Sequence, residues 1–143
     1  MKKEYSFVFS LQYNKDAGKK GENKWIIHGL WPNGVDHPPE QEGWDIHKLA
    51  YETILELEIY WPSYRGADYK FWRHEYNKHG KDMPFVETED DFFKFVLHLY
   101  KKYEPSAENI SPRVDKETGE AMQEYRFHLN EKFEIITEGL HPS

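Results

Sequence analysis

Residues 5–13 read YSFVFSLQY, and their rhythm sets the first element of the fold. Tyr5, Phe7, Phe9, Leu11 and Tyr13 alternate with Ser6, Val8, Ser10 and Gln12, the period of two that a β-strand imposes on its faces. Met1-Lys2-Lys3, just upstream, has the basic start of a secretory leader. Glu4 breaks the basic run, Ser6, Ser10 and Gln12 break the apolar one, and no small-residue cleavage site follows, so the stretch reads as a strand. Residues 14–24 hold two glycines and no apolar residue except Ala17, and read as an exposed loop. A second β-rich run, Trp25-Ile26-Ile27-His28, follows and is ended by Gly29 and by the turn sequence Trp31-Pro32-Asn33-Gly34.

The period then changes. Asp45 is placed to cap a helix over 46–60, with Ile46, Leu49, Ala50, Ile54, Leu57 and Tyr60, joined by Leu55, as its buried stripe. Trp61-Pro62 ends it. Asp68 is placed to cap a second helix over 69–79, stopped by Gly80. A third helix over 89–103 turns Phe92, Phe93, Phe95, Val96, Leu99, Tyr100 and Tyr103 inward. Residues 104–120 are polar and read as a loop. Residues 124–130 and 133–138 read as two strands joined by Asn130-Glu131-Lys132. Two strands, three helices and a hairpin describe an α+β domain, an antiparallel β-sheet packed against several α-helices.

Composition agrees with one domain over residues 1–143, long enough to bury about 68–70% of the surface its unfolded chain exposes. Only 38% of residues are hydrophobic, but 17% are aromatic, and disordered chains lack rings. No apolar run approaches the length of a membrane span, so no membrane partner is expected. Cysteine is absent, which removes disulfides, thiol nucleophiles and cysteine-held metals. The same absence fits a reducing compartment, so the expected location is cytoplasmic, or secreted or vacuolar where a leader has been removed. Net charge is −7, of which residues 81–143 carry −6. That disfavours a tight nonspecific duplex binder and leaves room for an enzyme holding a few nucleotides at local positive charge.

Two stretches concentrate reactive side chains: WIIHGLWP at 25–32 and FWRHEYNKHG at 71–80. In the second, Glu75 and His79 lie four apart on one helix face, and His74 and Lys78 lie four apart on the adjoining face. A solvated face with an incidental Glu–His pair has the same pattern. A metalloprotease site does not, because its two histidines stand four apart, whereas His74 and His79 stand five apart. His28 ends an apolar strand beside Gly29 and Trp31, an arrangement that either satisfies an ordinary strand histidine or serves a nucleotide site. Two histidines and a lysine suit RNA transesterification. One histidine takes the 2′-OH proton, one gives a proton to the departing 5′-oxygen, and a fixed cation steadies the phosphoryl charge. This chemistry needs no cofactor or metal, and it spares DNA, which has no 2′-OH.

At these two stretches the chain resembles the ribonuclease T2 family, whose signatures have the forms F-T-I-H-G-L-W-P and F-W-x-H-E-[WFY]-x-K-H-G. Weaker echoes lie in FSLQY, in WPS at 61–63, in DFFKFVLHLYKKY and in EYRFHLNEKFEIIT. The resemblance implies a metal-independent endoribonuclease that cuts single-stranded RNA through a 2′,3′-cyclic phosphate to 3′-phosphate ends. It implies His28 as the acid for the leaving group and His79 as the base for the 2′-OH, the two exchanging roles when the cyclic phosphate is hydrolysed. It implies Glu75 and Lys78 as transition-state stabilisers, His74 as a phosphate ligand and Trp31 as the aromatic stacking on the base 5′ of the cut. Asn33 matches a base-reading position, and Gln12, Pro62, Ser63 and Phe71 match positions near the second base site. A monomer is expected. The alternative is an inactive ribonuclease-like module that binds RNA or protein; all five polar candidates being present speaks against it. The chain departs from the family in continuing Gly80-Lys81-Asp82 rather than Gly-Thr-Cys, and in lacking the family's disulfides. Each of those contributes roughly 2–5 kcal/mol where present, so packing of the 24 aromatic residues must carry the load.

Overall fold

Four strands form one antiparallel sheet in the computed structural model, which describes residues 6–14, 25–33, 48–62, 67–80, 83, 86–105 and 122–141. Strands β1 (Phe7–Asn14), β2 (Ile26–Pro32), β3 (Met122–Leu129) and β4 (Ile135–His141) lie in the order β2-β1-β3-β4. The alternation read in the sequence sorts their faces. Phe7, Phe9 and Leu11 of β1 join Tyr125, Phe127 and Leu129 of β3 and Ile27 and Leu30 of β2 in the core. Ser10 on β1 and Glu124 and Arg126 on β3 occupy the other face and bond to one another there.

Strand β2 runs on through Trp31 to Pro32 rather than stopping at Gly29. The cause is a bulge. Ser10 pairs with Gly29 and Leu11 with Ile27, so His28 is the extra residue, opposite nothing on β1. A bulge bends its strand and re-aims the unpaired side chain without ending the ladder. The closing hairpin is also shifted, its loop covering residues 130–134 and held by Asn130. The Asn130 Oδ1 accepts from the backbone of Lys132 and Glu134 at 2.8 and 3.0 Å. Phe133 adopts φ 62°, and its ring stacks on Phe7 at 4.3 Å while Phe95 meets it edge-on.

Helix α1 (Tyr51–Tyr60) begins later than its periodicity implies. Asp45, the expected cap, lies outside the described residues, as do Ile46 and residues 106–120 of the loop expected over 104–120. The amide of Ala50 instead finds Asp90, a residue of helix α3 (Glu89–Lys102), at 2.9 Å. Leu55 faces solvent, while Leu57 is fully buried. Helix α3 starts with Thr88 as cap, its hydroxyl accepting from Asp91 N while the Asp91 carboxylate accepts from Thr88 N.

Helix α2 (Asp68–Glu75) includes Asp68 as its first residue instead of using it as a cap. It does not continue as α-helix to its glycine. Residues Tyr76–Gly80 form a π-helical turn, a wider coil often found at functional sites. Gly80 ends it against the ring of Phe92, which any Cβ there would strike. Between α1, α2 and α3 lies an aromatic cluster about Trp61, which is fully buried and ringed by Phe71, Phe92 and Phe93 at 6.2, 6.1 and 5.5 Å. Trp72, also buried, donates its Nε1–H to the Trp61 carbonyl at 2.7 Å. Trp25 is half-buried and sits edge-on to Tyr13 and Tyr125.

Candidate active site

The bulge in β2 and the π turn after α2 bring the two sequence stretches together at Trp31. Its indole lies 5.0 Å from the imidazole of His28, nearly perpendicular, and 6.0 Å from that of His79. The two histidines, 51 positions apart in sequence, thus both lie within about 6 Å of one ring. Both are half-buried, so neither is sealed in the core. Trp31 Nε1 donates to Glu75 Oε1 at 3.0 Å, which ties β2 to α2. Gly29 makes that contact possible. A Cβ there would collide with both Trp31 Nε1 and Glu75 Oε1, so only glycine lets the strand approach so closely.

Glu75 is 5% exposed. Burial pushes its carboxyl up to about 7, against the pull of the Trp31 hydrogen bond and of the charges on His28, His74 and Lys78. Carboxyls shifted in this way cluster at functional sites, which makes Glu75 a candidate. The sequence pairs Glu75 with His79 at α-helical spacing. Between them the chain leaves the α-helix for the π turn, and Trp31 on the neighbouring strand donates to the Glu75 carboxylate.

The other expected residues divide. His74 and Lys78 are half-buried and electrostatically coupled to Glu75. Asn33 directly follows β2, its backbone N–H donating to the Ser6 carbonyl at 2.8 Å. Gln12 pairs with Ile26 on one side and Glu124 on the other. Phe71 turns into the Trp61 cluster, and Pro62 is buried. Ser63 lies outside the described residues. Among the described residues no three His, Asp or Glu side chains are grouped to hold a metal ion.

Sequence reasoning missed three residues at the site. Arg126 places its guanidinium over the Trp31 ring, 5.4 Å from the centroid, so one face of the expected base platform is already covered. Its Nε donates to Glu124 Oε2 at 2.7 Å. Ser10 donates to the same oxygen at 2.6 Å. Burial would raise the Glu124 carboxyl, but contacts with His28, Ser10 and Arg126 hold it down at about 2. The signal was present in the alternation of β3, which puts Glu124 and Arg126 on one face, but nothing local says that this face meets His28.

Residues 5–133 match the sequence model of the ribonuclease T2 family. A ribonuclease T2-like protein of Emericella nidulans is 31% identical over 109 residues, covering 68% of this chain and 24% of that protein. Ribonuclease M of Aspergillus phoenicis is 33% identical over 113 residues, covering 62% of this chain and 48% of that one. The chain therefore spans between about a quarter and a half of the length of these relatives. In three dimensions, ribonuclease MC1 from the seeds of bitter gourd superposes with a TM-score of 0.65 at 20% identity, over 95% of this chain and 92% of that one.

Proposed function

The chain belongs to the ribonuclease T2 family, and on that footing we propose that it is a metal-independent endoribonuclease acting on single-stranded RNA. The observation that carries the proposal is the convergence of His28, Trp31, Glu75 and His79 from two distant stretches onto one half-buried patch. Mutants of ribonuclease MC1, whose fold this chain shares, have been solved with 5′-GMP and with 5′-UMP, which favours a nucleotide ligand here.

The reaction follows from the groups present. His79 removes the 2′-OH proton, and the freed oxygen attacks the adjacent phosphorus. His28 protonates the departing 5′-oxygen, leaving a 2′,3′-cyclic phosphate. In the second step the roles reverse: His28 takes a proton from water as the water oxygen attacks phosphorus, the bond from phosphorus to the 2′-oxygen breaks as His79 returns a proton to that oxygen, and a 3′-phosphate results. Lys78 and His74 neutralise the phosphoryl oxygens, whose charge grows toward the transition state. Glu75 accepts from Trp31 through Oε1, which leaves Oε2 to carry the proton that burial retains up to about pH 7. In that form it donates to a phosphoryl oxygen. The base 5′ of the cut stacks on the Trp31 face opposite Arg126. With no cysteine to oxidise, the domain suits a reducing compartment.

The test is cleavage, in EDTA, of a single-stranded RNA and of its 2′-deoxy counterpart. The RNA is expected to be cut and the DNA spared, and His79→Ala is expected to abolish cutting. Stable binding of intact RNA by the wild-type protein would favour the inactive binding module instead.

A further inference from the structure

His28, freed from the ladder by the bulge, has its Nδ1 beside Ser10 of β1 and Glu124 of β3. There Nδ1 lies 3.6 Å from Glu124 Oε2 and 3.5 Å from Ser10 Oγ. Both separations are a few tenths of an ångström longer than a closed hydrogen bond, as is common before substrate binds. The carboxylate itself is fixed. Ser10, fully buried, and Arg126 both donate to the oxygen that faces His28. The Arg126 guanidinium is in turn held over Trp31. Glu124 is thus clamped by two donors, which hold its Oε2 beside the imidazole.

We infer that Glu124 is a positioning residue for His28: it accepts the Nδ1–H, sets the tautomer and ring orientation, and leaves Nε2 as the nitrogen that meets the substrate. In a neutral imidazole one nitrogen donates and the other accepts, so a carboxylate anchored at Nδ1 decides which is which. Without it the ring is free to turn about its side-chain torsion and to place its proton on either nitrogen. The inference rests on His28 being one of the proton-transfer groups, and its test has a readout that does not depend on activity.

The test compares wild-type protein with Glu124→Ala and Glu124→Gln by nitrogen NMR of the histidine rings and by steady-state cleavage of a short RNA. In the wild type, neutral His28 is expected to carry its proton on Nδ1. In Glu124→Ala that tautomer is expected to lose its dominance, with kcat reduced on the order of 10²-fold and KM within about twofold, as for misplacement of a catalytic group. Glu124→Gln, whose amide oxygen still accepts from Nδ1–H, is expected to restore the tautomer and part of kcat. An unchanged His28 tautomer in Glu124→Ala overturns the inference, as does a change in KM alone. If Glu124→Ala does not fold, Ser10→Ala, which loosens the carboxylate without removing charge, is expected to show the same tautomer change in smaller measure. No change in that variant overturns the inference equally. If the wild-type protein cuts no RNA, the proposed function falls and the tautomer alone decides the place of Glu124.

Discussion

Trp31 and Glu75 are bound to each other across the junction of sheet and helix, indole N–H to carboxylate, at 3.0 Å. The bond favours the charged form of a group that burial keeps near neutrality. Trp31→Phe keeps a ring beside the two histidines and removes the donor. The Glu75 carboxyl is then expected to rise further above about 7, followed by carbon NMR of the carboxyl through a pH titration. Above that pH, where the carboxylate is charged and has lost its partner, the variant is expected to be less stable by about 1–3 kcal/mol in urea unfolding.

Glu75→Gln should separate stability from activity. Below pH 4.5 the folded and unfolded chains both hold the Glu75 proton. As pH rises the unfolded chain releases it first, because the folded value lies higher, so stability falls until about pH 7 and stays low above it. The full loss corresponds to about 3 kcal/mol. The variant has no proton to lose. It is expected to match wild type near pH 4 and to exceed it by up to about 3 kcal/mol at pH 8, while cleaving RNA more slowly. Unfolding curves at the two pH values check the first point.

Gly29→Ala adds one methyl group where Trp31 and Glu75 leave no room. Both side chains must shift, at a cost of about 1–3 kcal/mol. Because the displaced groups belong to the proposed site, kcat is expected to fall more than this stability loss explains at temperatures where the variant remains folded. Ala substitution at Gly139, which has open space around its Cβ position, is the matched control and should leave both quantities nearly unchanged.

The packing that stands in for disulfides has its own test. Trp61 is fully buried at the meeting point of three helices, and its carbonyl holds Trp72. Trp61→Ala is expected to cost about 3–5 kcal/mol, a large share of a domain's usual stability of about 5–15. Thermal unfolding followed by near-ultraviolet circular dichroism reads the loss.

Much of this architecture is legible in the chain itself. The alternation of Phe7, Phe9 and Leu11 marks the core face of β1, and the spacing of Phe92, Phe93, Val96 and Leu99 marks the buried face of α3. Those signals are local and periodic. The features that shape the site are neither. A one-residue bulge at His28 depends on how β1 pairs with β2, and the π turn at Tyr76–Gly80 depends on how α2 meets the sheet and Phe92. Asp90 serving Ala50, and Glu124 facing His28, join residues 40 and 96 positions apart. The chemical candidates could be named from two motifs. Their orienting partners, Ser10, Glu124 and Arg126, could not, because alternation fixes a residue's face but not what that face meets.

The central claim is that His28 and His79 act as paired proton-transfer groups on one phosphodiester. Phosphorus NMR of a short single-stranded RNA during digestion in EDTA tests it most directly. A 2′,3′-cyclic phosphate resonance is expected to grow first and then convert to a 3′-phosphate. His28→Ala and His79→Ala are each expected to slow its appearance by about 10²–10⁴-fold. Products ending in 5′-phosphate with no cyclic intermediate, loss of cleavage in the chelator, or full activity in both histidine variants would contradict the account.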